Sequence, residues 1–574
     1  MCGIIGGTNP LWDYKAATNA LFHRGPDSQK IIQHPDISLA FTRLAIIDLS
    51  SKADQPMKND NDTVVIVFNG EIYGYKELRS QLLHEGYQFH TTSDTEVVLN
   101  AYLRWGNQFI HKIDGMFAIA IHDKRTSELK LFRDRVGIKP LFYYFNGDNF
   151  AFASELKAVT ALLQNQKFHI DYTALYDFLT YKFIPEPKSL YKNIYKLPPA
   201  HLLIFDLKQK KISNCQQYWT LDPTVKHSNI TLADASRQLR GHIQKSIKDQ
   251  MIADVPVGFF LSGGLDSSTV VFESCMLNAS TETFSIGFEQ KGHNETHYAQ
   301  LVAQQYNTNH HVKILSEVFT NNLFPRMRDW FDEPFADTSA YPTFFVSKFA
   351  KEKVTVVLTG DGGDEIFGGY RWYNIIPFLR KIPGIDMLPL NKAFLTLKSF
   401  FPIKSIPYKL LNQIDLFTSK DLPCYIKLIG GMTTPEKQAY AQRWGIPLDY
   451  DSYWYIRKFY KPDLPLRTRL QYLDFHTFLA SDILTKVDRT TMSVSLEARV
   501  PLLSKDIIEF CFSIPESLRY YRGELKGLLK KTYSGHLPKA ILSRGKQGFS
   551  IPRFYLNLNR ERYQEKLLQE LFPY

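Results

Sequence analysis

The sequence predicts a two-domain chain of mixed α/β and α+β class. An N-terminal αββα sandwich of antiparallel sheets is followed by a parallel-sheet domain with a helical extension. Three observations predict it. Residues 2–155 alternate short apolar β-runs with turns and show helical periodicity in only two places. From residue 232 the rhythm changes to strand–helix units. Beyond 371 the apolar spacing is mostly helical, with no internal repeat.

Taken in order, β-runs fall at 3–7, 38–47, 63–69, 115–122, 129–133, 141–145 and 150–153. Helices are expected near 76–84 and 95–105, where apolar residues recur at three- and four-residue spacing. Residues 156–231 form a connector with a helix near 172–181. Its loops are marked by Ile184-Pro185-Glu186-Pro187 and Leu197-Pro198-Pro199. Leu232, Leu239, Ile243, Ile247 and Met251 then mark one helix face, ahead of an apolar strand at 255–261 and a Ser-Gly-Gly turn into another helix. Further units pair a strand at 283–288 with a helix from Glu295, and a strand at 354–359 with an acidic loop. The second domain is thus expected to span 232–574.

The chain has 574 residues, 44% hydrophobic and 22% charged, which is ordinary globular usage. No apolar run approaches the ~18 residues that a membrane-spanning helix needs. The opening Met-Cys-Gly-Ile-Ile-Gly-Gly lacks the charged and apolar regions of a secretory signal, so a cytoplasmic protein is expected. Cys2, Cys215, Cys275, Cys424 and Cys511 form no Cys-x-x-Cys pair and are odd in number, which argues against a disulfide scaffold or a thiolate zinc site. The net charge of +11 sits in two stretches, 371–420 and 516–553, where cations are mixed with Leu, Ile, Phe and Pro as in folded helices. That distribution points to local anion binding rather than to nucleic acid.

Only Met1 separates Cys2 from the N-terminus, and its small side chain permits methionine removal. The mature chain would then open with a thiol and a free α-amine on one residue. An amine titrating near ~8 can serve as general base for its own side chain. Taken alone, Cys2 could simply be a small residue opening a strand. Its companions change that. Asn69-Gly70-Glu71 is expected to close a strand, so that a side-chain amide and a backbone N–H could face one oxyanion. Arg43, in Thr42-Arg43-Leu44-Ala45-Ile46-Ile47-Asp48, can hold a carboxylate bidentately. Asp94, in Ser93-Asp94-Thr95-Glu96, could cap a helix or pair with an ammonium group. Thiol, oxyanion hole, carboxylate clamp and amine acceptor together describe a site for free glutamine.

Cys-Gly-Ile at the start, His23-Arg24-Gly25-Pro26-Asp27, the Arg43 segment and Asn69-Gly70-Glu71-Ile72-Tyr73 follow one another within 2–155. In that order they resemble the N-terminal-nucleophile glutamine amidotransferases. The resemblance implies that Cys2, Asn69 and Gly70 are catalytic and that Arg43, Asn69, Gly70, Glu71 and Asp94 bind glutamine.

A second site is expected at Leu261-Ser262-Gly263-Gly264-Leu265-Asp266-Ser267-Ser268, after a strand and opening a helix. Glycines let backbone N–H groups approach an anion there, and serine hydroxyls add donors. Without Gly-Lys-Ser/Thr it is not a Walker loop. It resembles instead the pyrophosphate loop of the ATP-pyrophosphatases, a plain tight turn being the alternative. In Thr359-Gly360-Asp361-Gly362-Gly363-Asp364-Glu365, carboxylates on glycine hinges suit a Mg²⁺ ion held together with phosphates, or a solvated turn. Ser543-Arg544-Gly545-Lys546-Gln547-Gly548-Phe549 supplies cations for a departing pyrophosphate, or an exposed basic face.

Nearly the whole chain resembles the glutamine-hydrolysing asparagine synthetases. The resemblance implies a metal at Asp266 and Asp364, a phosphate-side Lys546, and an ATP site at Leu261, Ser262, Gly263, Gly264, Asp266, Ser267, Ile286, Thr359 and Gly360. It places Asp361, Asp364 and Lys546 in the synthetase site, and leaves Leu496-Glu497-Ala498-Arg499-Val500-Pro501 a structural signature. Implied partners are glutamine, ATP and a carboxylate acceptor, aspartate first, with a homodimer possible. Many members carry Glu where this chain has Asp361, one methylene shorter, which leaves roughly 1.5 Å more room toward the acceptor. The same machinery acting on a surface-polysaccharide sugar acid or a β-lactam precursor is the alternative. A non-catalytic glutamine- or nucleotide-sensing module would be expected to lack Cys2 or Asp266, and both are present.

Overall fold

The computed structural model describes residues 2–277, 280–290, 294–315, 324–381, 419–548 and 562–572. Met1, most of the basic stretch 371–420, and Phe549 with the rest of 549–553 lie outside the described residues.

The N-terminal half holds two six-stranded antiparallel sheets. Across the first, the order is Ile194–Lys196, Phe142–Phe145, Phe150–Ala153, Cys2–Gly7, Ser38–Arg43 and Ser28–Gln33. Across the second it is Lys211–Gln217, His201–Asp206, Glu128–Arg133, Asp114–Asp123, Val64–Tyr73 and Met57–Lys58. Two-residue alternation builds the sandwich. Ile4, Phe41 and Phe152 of the first sheet meet Val65, Val67 and Leu131 of the second in one buried cluster. The opposite faces are covered by helices. Ile5 and Ala40 lie in one cluster with Ala17 of Tyr14–Ala20 and Val159 of Leu156–Leu162. Ile66 and Phe68 lie in another with Val97 and Ala101 of Asp94–Trp105. The expected αββα stack is present.

Several boundaries differ from expectation. The strand expected at 38–47 ends at Arg43, and the one expected at 63–69 runs on to Tyr73. Three strands between 194 and 217, inside the expected connector, are members of the two N-terminal sheets. Their signal is weak because Pro198-Pro199 interrupts it and because Lys211–Gln217 is a polar, largely exposed sheet edge.

The third sheet is parallel throughout, in the order Asn309–Leu315, Glu282–Phe288, Val257–Phe260, Val356–Leu358 and Glu497–Arg499. Leu239 and Ile243 of Leu232–Gln250 join Val271 of Leu265–Leu277 in a core with Phe259 and Val356. Tyr341 and Val346 of Ala340–Lys351 pack in a separate core with Phe284 and Val357. Helices therefore cover both faces. The loops at 261–266 and 359–364 leave the carboxyl ends of neighbouring strands, where open parallel sheets bind ligands. No helix among the described residues is long and apolar enough to cross a membrane.

Candidate active site

Two clefts collect the expected residues. Cys2 opens the strand Cys2–Gly7 in register with Arg43 on Ser38–Arg43, which brings thiol and guanidinium to the same sheet end. Its backbone nitrogen donates to Asn69 Oδ1 at 3.0 Å, and its Sγ lies 3.9 Å from the Leu44 carbonyl oxygen. Burial pushes the thiol up from its usual range, so it needs a base to act as a nucleophile. Asn69 Nδ2 is buried and finds no acceptor among the described residues, the condition of a donor waiting for an oxyanion.

Asn69-Gly70-Glu71 lies inside the strand Val64–Tyr73 rather than at its end, with Gly70 opposite Phe117. A Cβ on Gly70 would overlap the Met116 carbonyl oxygen and Phe117 Cα, so glycine is needed to keep the ladder closed there. Asp94 stands inside the helix Asp94–Trp105. The cap is Ser93, whose Oγ accepts from Glu96 N at 3.3 Å. Asp94 Oδ2 accepts from Ile72 N at 3.0 Å. Arg43 Nη1 donates to the Ser50 carbonyl and to Asp54, both at 2.7 Å, and Nη2 donates to the Asp48 carbonyl. Those contacts fix the guanidinium at the cleft wall. Cys2, Arg43, Gly70, Glu71 and Asp94 all line this one cleft.

Its carboxylates are unusual. Burial pushes Asp94 up to about 6. Burial, then the charge of Asp94, pushes Glu71 well above the usual carboxylate range, with Arg499 opposing. Arg499 comes from the far sheet. Its Nη2 lies 3.3 Å from Glu71, its Nε donates to Glu497 at 2.7 Å, and its Nη1 donates to the Gln250 and Ile252 carbonyls, both at 2.7 Å. The segment Leu496–Pro501, expected to be only structural, therefore reaches the first cleft. Sequence spacing could not show this, because contact across 428 positions has no local signal.

Arg24 also joins the halves. Its Nε donates to the Cys2 carbonyl at 3.1 Å, while Nη1 reaches Glu155 at 2.8 Å and Asp488 at 2.7 Å. Arg489 pairs with Glu155 at 3.1 Å and Asp332 at 2.7 Å in the same buried seam.

The second cleft is a cavity of about 590 Å³ at the carboxyl ends of the parallel strands. Leu261, Ser262, Gly264, Asp266 and Ser267 line it from the first loop. Ile286, Thr359, Gly360, Asp361 and Asp364 line it from the neighbouring strands, and Lys546 from the C-terminal segment. Gly263 does not line it. With φ +69, and with Tyr298 Cβ and Ala299 N only 2.5 Å from where a Cβ would stand, Gly263 shapes the turn instead. The loop is stapled internally, Ser262 Oγ lying 3.0 Å from Ser267 Oγ.

Lys526 was not expected here. It is buried, takes φ +55 ahead of the helix Gly527–Thr532, and pairs with Asp266 and, at 2.6 Å, with Asp364. Lys546 pairs with the other Asp364 oxygen. Burial alone would raise Asp364, but Lys526 and Lys546 outweigh it and hold this carboxylate below the usual range. Burial pushes Asp266 up, with Lys526 opposing. Asp266 Oδ1 is buried without a donor among the described residues. Two neighbouring carboxylates, with the free oxygen on Asp266, fit a Mg²⁺ ion that takes its other ligands from phosphate and water. A cage of three or more protein ligands is absent among the described residues. Lys530 and Arg544 also line the cavity, which with Lys526 and Lys546 takes four cations from the basic stretch 516–553.

The family model described as Asparagine synthase matches residues 238–572, and the model Glutamine amidotransferase domain matches residues 1–219. Asparagine synthetase [glutamine-hydrolyzing] 1 of Bacillus subtilis is 34% identical, over 99% of this chain and 90% of that relative. Asparagine synthetase [glutamine-hydrolyzing] 2 of the same organism is 32% identical, over 97% of this chain and 72% of that relative. The third B. subtilis relative, numbered 3, is 29% identical over 96% and 87%.

Proposed function

The chain belongs to the glutamine-hydrolysing asparagine synthetases, ATP-dependent carbon–nitrogen ligases, and on that premise we propose that it transfers the amide nitrogen of glutamine to aspartate. Loss of Met1 leaves the α-amine on Cys2, hydrogen-bonded toward Asn69, as base for the thiol. The thiolate attacks the glutamine amide carbon. The oxyanion lies between Asn69 Nδ2 and the Gly70 N–H, and the C–N bond breaks to give a γ-glutamyl thioester and ammonia. Water then releases glutamate. Arg43 holds the glutamine carboxylate, while Asp94 and Glu71 take its ammonium group. Cys2, Asn69 and Gly70 are the residues in contact with the reacting amide.

In the second cavity ATP lies along the Ser262–Ser267 loop, with its adenine near Leu261, Ile286 and Gly360. The aspartate β-carboxylate attacks the α-phosphorus, the bond to the bridging oxygen breaks, and pyrophosphate leaves toward Lys526 and Lys546. A Mg²⁺ ion at Asp266 and Asp364 would neutralise phosphate charge during this step. Ammonia arrives through the seam between the halves, adds to the acyl-adenylate carbon and loses a proton, and AMP departs to leave asparagine. The division into glutaminase unit, connector and synthetase unit belongs to the same proposal, the strands between 194 and 217 going with the glutaminase sheets.

The observation that carries the reading is the span of Arg24, from the Cys2 carbonyl at 3.1 Å to Asp488 at 2.7 Å. It ties the strand that carries the nucleophile to the helix Thr485–Met492, whose Lys486 lines the anion cavity. The test is product identity. Glutamine labelled with ¹⁵N in its amide, with ATP and aspartate, should yield amide-labelled asparagine, AMP and pyrophosphate in equal amounts. Formation of ADP and phosphate overturns the adenylation step.

A further inference from the structure

The segment that steadies Arg43 does not rest on the N-terminal half alone. Asp48 is its hub. The Asp48 carbonyl accepts from Arg43 Nη2, and its Oδ1 accepts from the Ser50 N–H at 3.1 Å and the Ser50 hydroxyl at 2.6 Å. Its Oδ2 accepts from Thr92 N at 2.8 Å, two residues ahead of Asp94. One residue thus sets both the guanidinium and the start of the helix Asp94–Trp105. Asp48 does this with φ +54, a left-handed backbone that residues other than glycine enter at a cost. Aspartate tolerates that conformation better than most, but it has to be held from outside.

The hold comes from the other half of the molecule. Asp48 N donates to Asp254 Oδ2 at 2.8 Å, and Asp254 N donates to the Ile46 carbonyl at 2.9 Å. The two bonds run in opposite directions and grip the chain from Ile46 to Asp48 between them. Asp254 lies in the short turn between the helix Leu232–Gln250 and the strand Val257–Phe260. That turn is itself pinned. Arg499 donates to the Gln250 and Ile252 carbonyls at its start, both at 2.7 Å. Three residues beyond Asp254 the strand begins, paired to a parallel neighbour on each side. The same strand runs on into the Ser262–Ser267 loop.

We infer that Asp254 is a positioning residue of the glutamine site. From the parallel-sheet half it fixes the Asp48 backbone. Through Asp48 it sets Arg43 for the α-carboxylate of glutamine and Asp94 for its ammonium group. This rests on the reading of the Cys2 cleft as the glutamine site and deepens it. Asp254 touches no substrate; what acts is the place of its Oδ2 acceptor, since the partner is a neutral backbone N–H. The clamp on glutamine is therefore incomplete without the synthetase half.

The test is ammonia release by the full-length enzyme from glutamine and from its α-methyl ester, which lacks the carboxylate charge. Wild-type enzyme should prefer glutamine in kcat/KM by about 100-fold or more. Asp254→Ala removes the acceptor and should raise the glutamine KM about tenfold, with kcat changed by less than about twofold. It should also cut the preference over the ester to about tenfold. Asp254→Asn keeps an oxygen in place and should restore the KM to within about threefold of wild type. Asp254→Glu keeps the charge but moves the oxygen by about 1.5 Å, and should raise the KM as the alanine variant does. AMP release driven by free ammonia should be unchanged in all of these, which reports that each is folded. A glutamine KM unmoved in Asp254→Ala or Asp254→Glu overturns the inference, as does an Asp254→Asn enzyme impaired like the alanine variant. A fall in kcat and in ammonia-driven AMP release that matches the rise in KM overturns it too, because Asp254 would then only support the fold. Wild-type enzyme that takes the ester as readily as glutamine overturns the Arg43 reading, and the inference with it.

Discussion

The cleft around Cys2 and the cavity above the parallel sheet both gather buried carboxylates, yet the two sets are charged differently. Around Cys2 burial dominates: Asp94 rises to about 6 and Glu71 rises well above the usual range, against one opposing arginine, Arg499. Above the sheet, Lys526 and Lys546 overcome burial and hold Asp364 below that range. The difference is one of which partner brings the cation. The first cleft lacks a full complement of positive charge and suits a ligand with its own ammonium group. The second supplies cations in advance and suits a polyanion.

The largest effects should come from separating the two chemistries. Cys2→Ala should cut glutamine hydrolysis at least ~10³-fold while ammonia-dependent AMP release continues. Asp266→Asn should do the reverse, lowering AMP release about 10²- to 10³-fold with glutamine hydrolysis intact. Glutamate and AMP assays on the two variants check this, and loss of both activities in either one breaks the comparison. Lys526→Met removes the cation shared by Asp266 and Asp364, so AMP release should fall about 100-fold. A pyrophosphate-release assay that finds near-normal turnover would show that this lysine only supports the fold.

Arg499→Met takes the guanidinium from Glu71 and Glu497, and should lower glutamine kcat/KM about tenfold by favouring the neutral form of Glu71. Glutaminase kinetics on the variant would show whether the far sheet tunes the first cleft. The smallest effect is in pH. Asp94 is ionised above about 6 and neutral below it, and an ammonium ligand needs the ionised form. Glutamine KM should therefore rise as pH falls through about 6, whereas ATP KM stays flat, since Asp364 remains ionised over that interval. Parallel KM profiles between pH 5 and 8 would decide it.

Local chemistry was legible in the sequence where local backbone geometry supports it. The serine–glycine loop, the acidic loop and the Cys2 companions appear as short motifs because each works through backbone N–H groups or neighbouring side chains. Partners fixed only by folding were not legible. Gly70 sits mid-strand because Met116 and Phe117 crowd it from the next strand, and Arg499 meets Glu71 across the whole fold. Lys526 gave no signal beyond membership of a basic stretch, since its backbone conformation is invisible in composition.

The most direct measurement is AMP release by purified enzyme, with saturating glutamine and ATP, against a panel of carboxylates that includes aspartate, succinate, glutamate and uronic acids. The account predicts that aspartate stimulates AMP formation well above every other member, matched one to one by asparagine. A glutaminase-competent enzyme that releases no AMP with aspartate, but does so with another carboxylate, would contradict it.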